Sequence, residues 1–259
     1  MKGVLPILLA TLIVTGISHA HAARNGDKNI GWPGKTLKGE PCQGKEQGFG
    51  PFDYNDPTYT VPGLYTRHGS SSESPLRFVE KAHFTPPVER LQKGRTAPLP
   101  FDIDYTLRAF PNHLPALWSM IRFQLRYLDK KGKYGQRTPI DQFPPPECYL
   151  QRAEVFAPED NMVKLLHAIY LHKRGILDEA LKYYTRIEKA LANNPELHYN
   201  MGLLYYRKGD IAKAREHAKR AYELGYQLPG LRNLLRAHDR AATVGDKGPA
   251  GGGSQASSR

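Results

Sequence analysis

Beyond Ala22 the sequence has no apolar run long enough to cross a bilayer, so the mature chain is expected to have no stable membrane span. Cysteine is almost missing, with Cys42 and Cys148 alone, and no C-x-x-C-H haem site can be written from them. Histidine is present without a pattern that ligates. His167, His172, His198, His217 and His238 fall on expected helices, yet none forms an H-E-x-x-H pair or a metal-ligand cluster. His113 follows Asn112 near a helix start, where a capping or surface role is the ordinary reading. Glycine-rich phosphate loops and the G-x-S-x-G elbow are lacking too. These absences leave no enzyme, cofactor or metal to argue for. Negative charge is in deficit: 25 acidic residues face 37 Lys and Arg, a formal net charge of +12. Such a balance favours anionic partners, whether an acidic protein or an envelope polymer, and it also serves plain solubility.

The first 22 residues read as a secretory signal peptide. Lys2 precedes the apolar run Val4 to Ile17, and Ser18-His19-Ala20-His21-Ala22 offers small residues in A-x-A spacing. Cleavage after Ala20 or Ala22 fits equally. The expected location is therefore the periplasm or the extracellular space, which makes nucleic acid the least fitting anionic partner. An oxidising compartment and an even count suggest one bridge between Cys42 and Cys148; the alternative is two buried thiols.

The organising stretch is 161 to 224, which repeats itself at an offset of 34 residues. Ala168 falls on Gly202, Gly175 on Gly209, Asp178-Glu179-Ala180 on Ala212-Lys213-Ala214, and Tyr184 on Ala218. A constant offset of this length signals stacked helical hairpins. In the second copy Gly202-x-x-Tyr205, Gly209-Asp210 and Ala214-x3-Ala218-x2-Ala221 follow in order. This resembles the tetratricopeptide repeat (TPR), with G-x2-Y on one helix, a tight turn and A-x3-F on the next. Gly202 and Ala214 are small where two helices would cross, and Gly209 tolerates the positive φ of the turn. Departures from the pattern are His198 where it prefers Trp, Leu171 where it prefers Tyr, and Pro195 about one turn late, which suggests a longer second helix in the first copy.

Around this centre the rest of the chain is read as follows. Residues 23–40 form a disordered arm, rich in Gly and Lys without apolar period. Residues 41–111 are an irregular Gly-, Pro- and Tyr-rich segment pinned by aromatic side chains. Within it, Ser74-Pro75 announces a helix over 76–83 and Thr85-Pro86 another over 88–93. Phe101 to Ala109 alternates apolar and polar residues and reads as a short strand. The same stretch holds Asp102-Ile103-Asp104-Tyr105-Thr106, similar to the D-x-D-x-T string of haloacid-dehalogenase-like phosphatases, but the apolar strand and βα units of that fold are lacking here. Residues 112–158 read as a degenerate hairpin whose first helix carries Leu117, Trp118, Ile121, Leu125 and Leu128. TPR 1 spans 161–194, TPR 2 spans 195–228, a capping helix covers 229–242 and a disordered tail 243–259.

The expected fold class is all-α: a TPR-like alpha-alpha superhelix with a largely irregular N-terminal segment and a capping C-terminal helix. The resemblance implies a non-catalytic protein-binding groove lined by the first helix of each hairpin. By register it would comprise Leu165, Ile169, His172 and Lys173, then Tyr199, Asn200, Leu203, Tyr206 and Arg207. Asn200 matches an asparagine that in some tetratricopeptide groups bonds to a bound peptide backbone. Lys173 and Arg207 suit an acidic side chain or terminal carboxylate. The implied partner is a protein or peptide, acidic in character, in a bacterial cell envelope. The alternatives are a binder of anionic envelope polymers and a D-x-D-x-T-type phosphatase using Asp102 and Asp104.

Overall fold

A computed structural model of the chain describes residues 30–46, 48–65, 73–129 and 143–245. The expected signal peptide, the start of the arm, residues 130–142 of the loop expected over 130–146, and the expected tail of 243–259 beyond 245 lie outside the described residues; residues 243–245 belong to the last helix. Among the described residues there are eleven α-helices and one isolated antiparallel bridge, Lys35 to Pro41. The architecture is all-α.

The arm from residue 30 onward is not disordered, contrary to expectation. Polar side chains of a later helix hold its backbone: Gln151 bonds both the amide and the carbonyl of Lys35, Glu147 accepts from the Leu37 amide, and Arg152 donates to the Gly31 carbonyl. The Trp32 ring meets Tyr149 edge-on at 5.0 Å. Cys42 and Cys148 are joined by a disulfide, with Cα atoms 5.6 Å apart. A composition without apolar period hides such anchoring, because the anchors lie more than 100 residues away in the chain.

Four helices follow. α1 is Pro57–Thr60, begun by the Asp56 side chain accepting from the Thr58 amide. α2 is Pro75–His83, capped by Ser74 accepting from Arg77. α3 is Pro86–Glu89, shorter than the 88–93 expected; the chain turns at Leu91, which takes φ 57° while burying its side chain. α4 is Leu99–Ala109, where a strand was expected. Leu99-Pro100 places a proline in the first turn, where its missing N–H is harmless. The alternation is then overridden by an i, i+4 pair: Ile103 and Leu107 are both fully buried in the core with Val88 and Leu117. The Thr106 hydroxyl bonds the Asp102 carbonyl one turn back.

α5 (Leu114–Asp129) and α6 (Pro146–Phe156) pack together and form the degenerate hairpin. His113 starts α5, its Nδ1 accepting from the Ala116 amide while its ring is wholly buried. Two complete hairpins come next: α7 (Asn161–Lys173) with α8 (Leu177–Glu188), and α9 (Pro195–Arg207) with α10 (Ile211–Glu223). Asp160, Asn194 and Asp210 cap α7, α9 and α10 through their side chains. The turns are copies of one another. Gly175 and Gly209 have φ 81° and 82°, and each next residue donates five positions back, Ile176 to Leu171 and Asp210 to Tyr205. This is the Schellman closure that a residue with a Cβ adopts only under strain.

α8 is not longer than its counterpart. It ends at Glu188, and the late Pro195 is accommodated by a turn in which Leu191 donates to Ile187 and Asn194 to Leu191. The matching small residues Ala168, Ala180 and Ala214 are all fully buried. Gly202 is needed for close approach: a Cβ there would lie 2.4 Å from Leu231 Cδ2 and 3.3 Å from the Ala214 carbonyl oxygen. α11 (Gly230–Gly245) packs on α9 and α10 through Leu231 and Leu235. Shifting α9 by 34 residues aligns Pro195 with Pro229, Leu197 with Leu231, Met201 with Leu235 and Gly202 with Arg236. α11 thus keeps the register of a first helix, and an exposed arginine stands where α9 has glycine.

Candidate protein-binding groove

The first helices α5, α7, α9 and α11 are neighbours in that order, so residues at matching register form one wall. The structure divides the nine expected groove residues into three groups. Leu165 and Ile169 are 1% and 3% exposed, packed with Tyr184, Ile187, Leu197 and Met201. They are core, because α5 lies against this part of α7 and Trp118 packs over the cluster. His172 and Tyr199 are buried as well. Tyr199 stacks on Tyr226 at 4.2 Å, beneath the start of α11.

The His172 ring is held neutral. Burial, then the nearby cations Arg207 and Lys173, lower its pKa to about 4. Its main-chain carbonyl accepts from Arg207 at 2.8 Å, which fixes that guanidinium across the step from α9 to α7. Lys173 is exposed and lies 5.8 Å from the centre of the Trp118 ring.

What remains open is a smaller surface. Asn200, Leu203 and Tyr206 are half-buried on α9, and Arg207 is exposed beside them. The Asn200 amide donates to the Glu196 carbonyl of its own helix, which aims its carboxamide oxygen away from that bond. Leu234 on α11 is 39% exposed and stands 34 residues after Asn200; Arg240 stands 34 after Tyr206 and is exposed. Sequence reasoning missed Leu234, Arg240 and Trp118. Extending the 34-residue offset one step further would have found the first two, whereas Trp118 lies before the turn that breaks the register. Among the described residues, Lys173, Arg207 and Arg240 form no ion pair with a carboxylate.

The two aspartates of the phosphatase-like string are occupied by structural partners. Asp102 accepts from the amides of Arg95, Thr96 and Ala97, from the Thr96 hydroxyl and from His83. Burial raises its pKa, but these bonds outweigh that effect and hold it below the ordinary carboxylate value. Asp104 accepts from the Tyr149 hydroxyl at 2.7 Å and from Arg108 at 3.0 Å. Both carboxylates are fully buried. Of the remaining histidines, His167 bonds Glu154, and His198 and His217 meet each other. Among the described residues, no cluster of three or more His, Cys, Asp or Glu is placed to hold a metal.

Comparison with known proteins agrees with the geometry of α9 and α10. The family model described as Tetratricopeptide repeat matches residues 195–227. No curated protein and no solved structure matches the chain.

Proposed function

We propose that this chain is an exported, non-catalytic binding module of the cell envelope that takes an acidic peptide or protein segment along the wall made by α7, α9 and α11. A tetratricopeptide repeat in an all-helical stack points to a protein partner. The observation that carries the finer reading is the pairing of three uncompensated cations, Lys173, Arg207 and Arg240, with the half-buried Asn200, Leu203 and Tyr206 on one side of the stack. Apolar contact beside fixed cations suits a segment with acidic and hydrophobic side chains. The pattern of residues 1–22 and the Cys42–Cys148 bridge support export.

The test is binding of a defined panel of acidic, neutral and basic peptides, followed by fluorescence anisotropy. Arg207→Glu combined with Lys173→Glu should weaken the acidic peptides by about tenfold or more, since loss of a charge-assisted contact is worth about 1.5–3 kcal/mol. Equal affinity across the panel, or no effect of the double variant, overturns the acidic-segment reading. The net charge of +12 favours a second reading, a binder of anionic envelope polymers. Steep loss of binding with salt and indifference to Tyr206→Ala would distinguish it.

A further inference from the structure

His198, in the first turn of α9, and His217, in the middle of α10, meet edge to edge inside the second complete repeat. Their Nδ1 atoms are 3.2 Å apart and the side chains are almost fully buried. His198 Nε2 lies 2.9 Å from the carbonyl oxygen of Ala192, in the turn that leaves α8. A carbonyl only accepts, so Nε2 carries a hydrogen and donates; Nδ1 of the neutral His198 ring is then a bare acceptor. The hydrogen in the contact therefore belongs to His217 Nδ1. Tyr205 stacks on His217 at 5.3 Å, nearly parallel, and closes that side. One imidazole thus ties together three parts: the turn that ends the first repeat, the start of α9 and the middle of α10.

Counting protons shows what this arrangement tolerates. The neutral pair uses one N–H in the contact. A first added proton can sit on His217 Nε2 and leaves both hydrogen bonds intact. A second has only His198 Nδ1 to go to, and there it meets the His217 N–H head on. Two donors and two positive rings would then face each other at 3.2 Å with no acceptor between them.

The surroundings set how readily this happens. Burial lowers the His217 pKa first; Glu188 from α8 and Glu216 from α10 raise it, and His198 and Lys213 lower it. Lys189, Lys219, Arg220 and Glu223 complete the charged rim of a cleft of about 630 Å³ that both rings line. The rim mixes both signs, so desolvation rather than local charge favours the neutral form of His217. The cleft gives solvent protons a route to the rings.

We propose that the His198–His217 pair is an acid-operated joint between the two complete repeats: it holds the 189–194 turn to the second repeat while at most one ring is charged, and releases it when both are. α9 also carries Asn200, Leu203, Tyr206 and Arg207, so release would reshape the binding wall, a consequence that rests on the groove reading. The joint itself does not.

The experiment is hydrogen exchange on the full mature chain without any partner, from about pH 7.5 to about pH 4.5, corrected for the intrinsic pH dependence of exchange. Amides of 189–199 and the centre of α10 should lose protection by about tenfold or more relative to α7, as local opening does. His217→Gln should keep that protection in acid, because its amide can donate to His198 Nδ1 and cannot titrate. His198→Gln should behave alike, its amide donating to Ala192 and its oxygen accepting from His217. His172 changes acid stability in every variant, so the readout is local and compares variant with wild type. Nitrogen-15 resonances of the wild-type imidazoles supply a check that needs no variant: protonation of His198 Nδ1 should coincide with deprotection. Unchanged wild-type protection, equal loss in either folded variant, or a protonated His198 Nδ1 with the turn still protected would overturn the joint.

Discussion

Tyr184 occupies the aromatic slot of the A-x3-F pattern on α8, four residues after the fully buried Ala180. Its ring packs with Leu165, Ile187 and Leu197, but its buried hydroxyl has no hydrogen-bond partner among the described residues. Burial also drives its pKa up, so the hydroxyl stays neutral. An unsatisfied buried hydroxyl costs about 1–3 kcal/mol, less whatever it regains by local relaxation. Tyr184→Phe keeps the ring and removes that cost. Urea unfolding should therefore show Tyr184→Phe more stable by about 0.5–1.5 kcal/mol; a loss of stability would mean that the hydroxyl holds a partner after all. Asp102 shows the opposite case at the same scale. A five-residue string cannot distinguish a nucleophile from a carboxylate that gathers the amides of 95–97 and the Thr96 hydroxyl. The deciding facts are its donors, and those lie in the turn before α4 and on α2.

At the scale of elements, what could be read was periodic. The 34-residue offset located α7 to α10, because Gly175 and Gly209 and the buried alanines recur wherever the same turn and crossing recur. Alternation at Phe101, Ile103, Tyr105 and Leu107 reads as a strand yet also contains an i, i+4 pair, and the packing of Ile103 and Leu107 decides for the helix. The groove was half legible for a related reason. Register places Leu165, Ile169 and Tyr199 on the right face of their helices, but whether that face is open depends on Trp118 and α11, which cover it. Gly202 tests the crossing directly. Its missing Cβ leaves room for Leu231 and for the Ala214 carbonyl, so Gly202→Ala asks the flexible Leu231 side chain to move and the Ala214 carbonyl to shift by a few tenths of an ångström, whereas leucine must displace α10 or α11. Gly202→Leu should cost about 1–3 kcal/mol by overpacking and Gly202→Ala less. A melting temperature unchanged in the leucine variant would mean that the helices do not cross at this residue.

For the whole molecule, the repeats alone leave one end uncovered, and the N-terminal arm closes it. Residues 30–45 lie along α6, bonded through their backbone to Glu147, Gln151 and Arg152, while α3 and α4 pack on α5 at the same end. At the other end α11 presents Arg232, Arg236 and Arg240 outward. Polar termini of this kind keep a helical stack from extending. The arm has few apolar contacts of its own beyond Trp32, so the Cys42–Cys148 bond adds a covalent tie to the hydrogen bonds that hold it on α6. The bond closes a loop with a sequence separation of 106, and constraint of the unfolded chain by a loop of that length is worth about 4–5 kcal/mol in the chain-entropy model. Cys42→Ser with Cys148→Ser, or reduction of the wild type, should lower the unfolding free energy by an amount of this order. Trypsin should then cut at Lys35, Lys38 or Lys45 first, before any site in α7 to α10. Mass analysis of the protein supplies the prior condition, a chain about 2 Da lighter than its reduced form, the mass of the two hydrogens lost in a disulfide. If both thiols were free there, or if reduction left the arm resistant to trypsin, the bridge could not be what fastens the arm to α6.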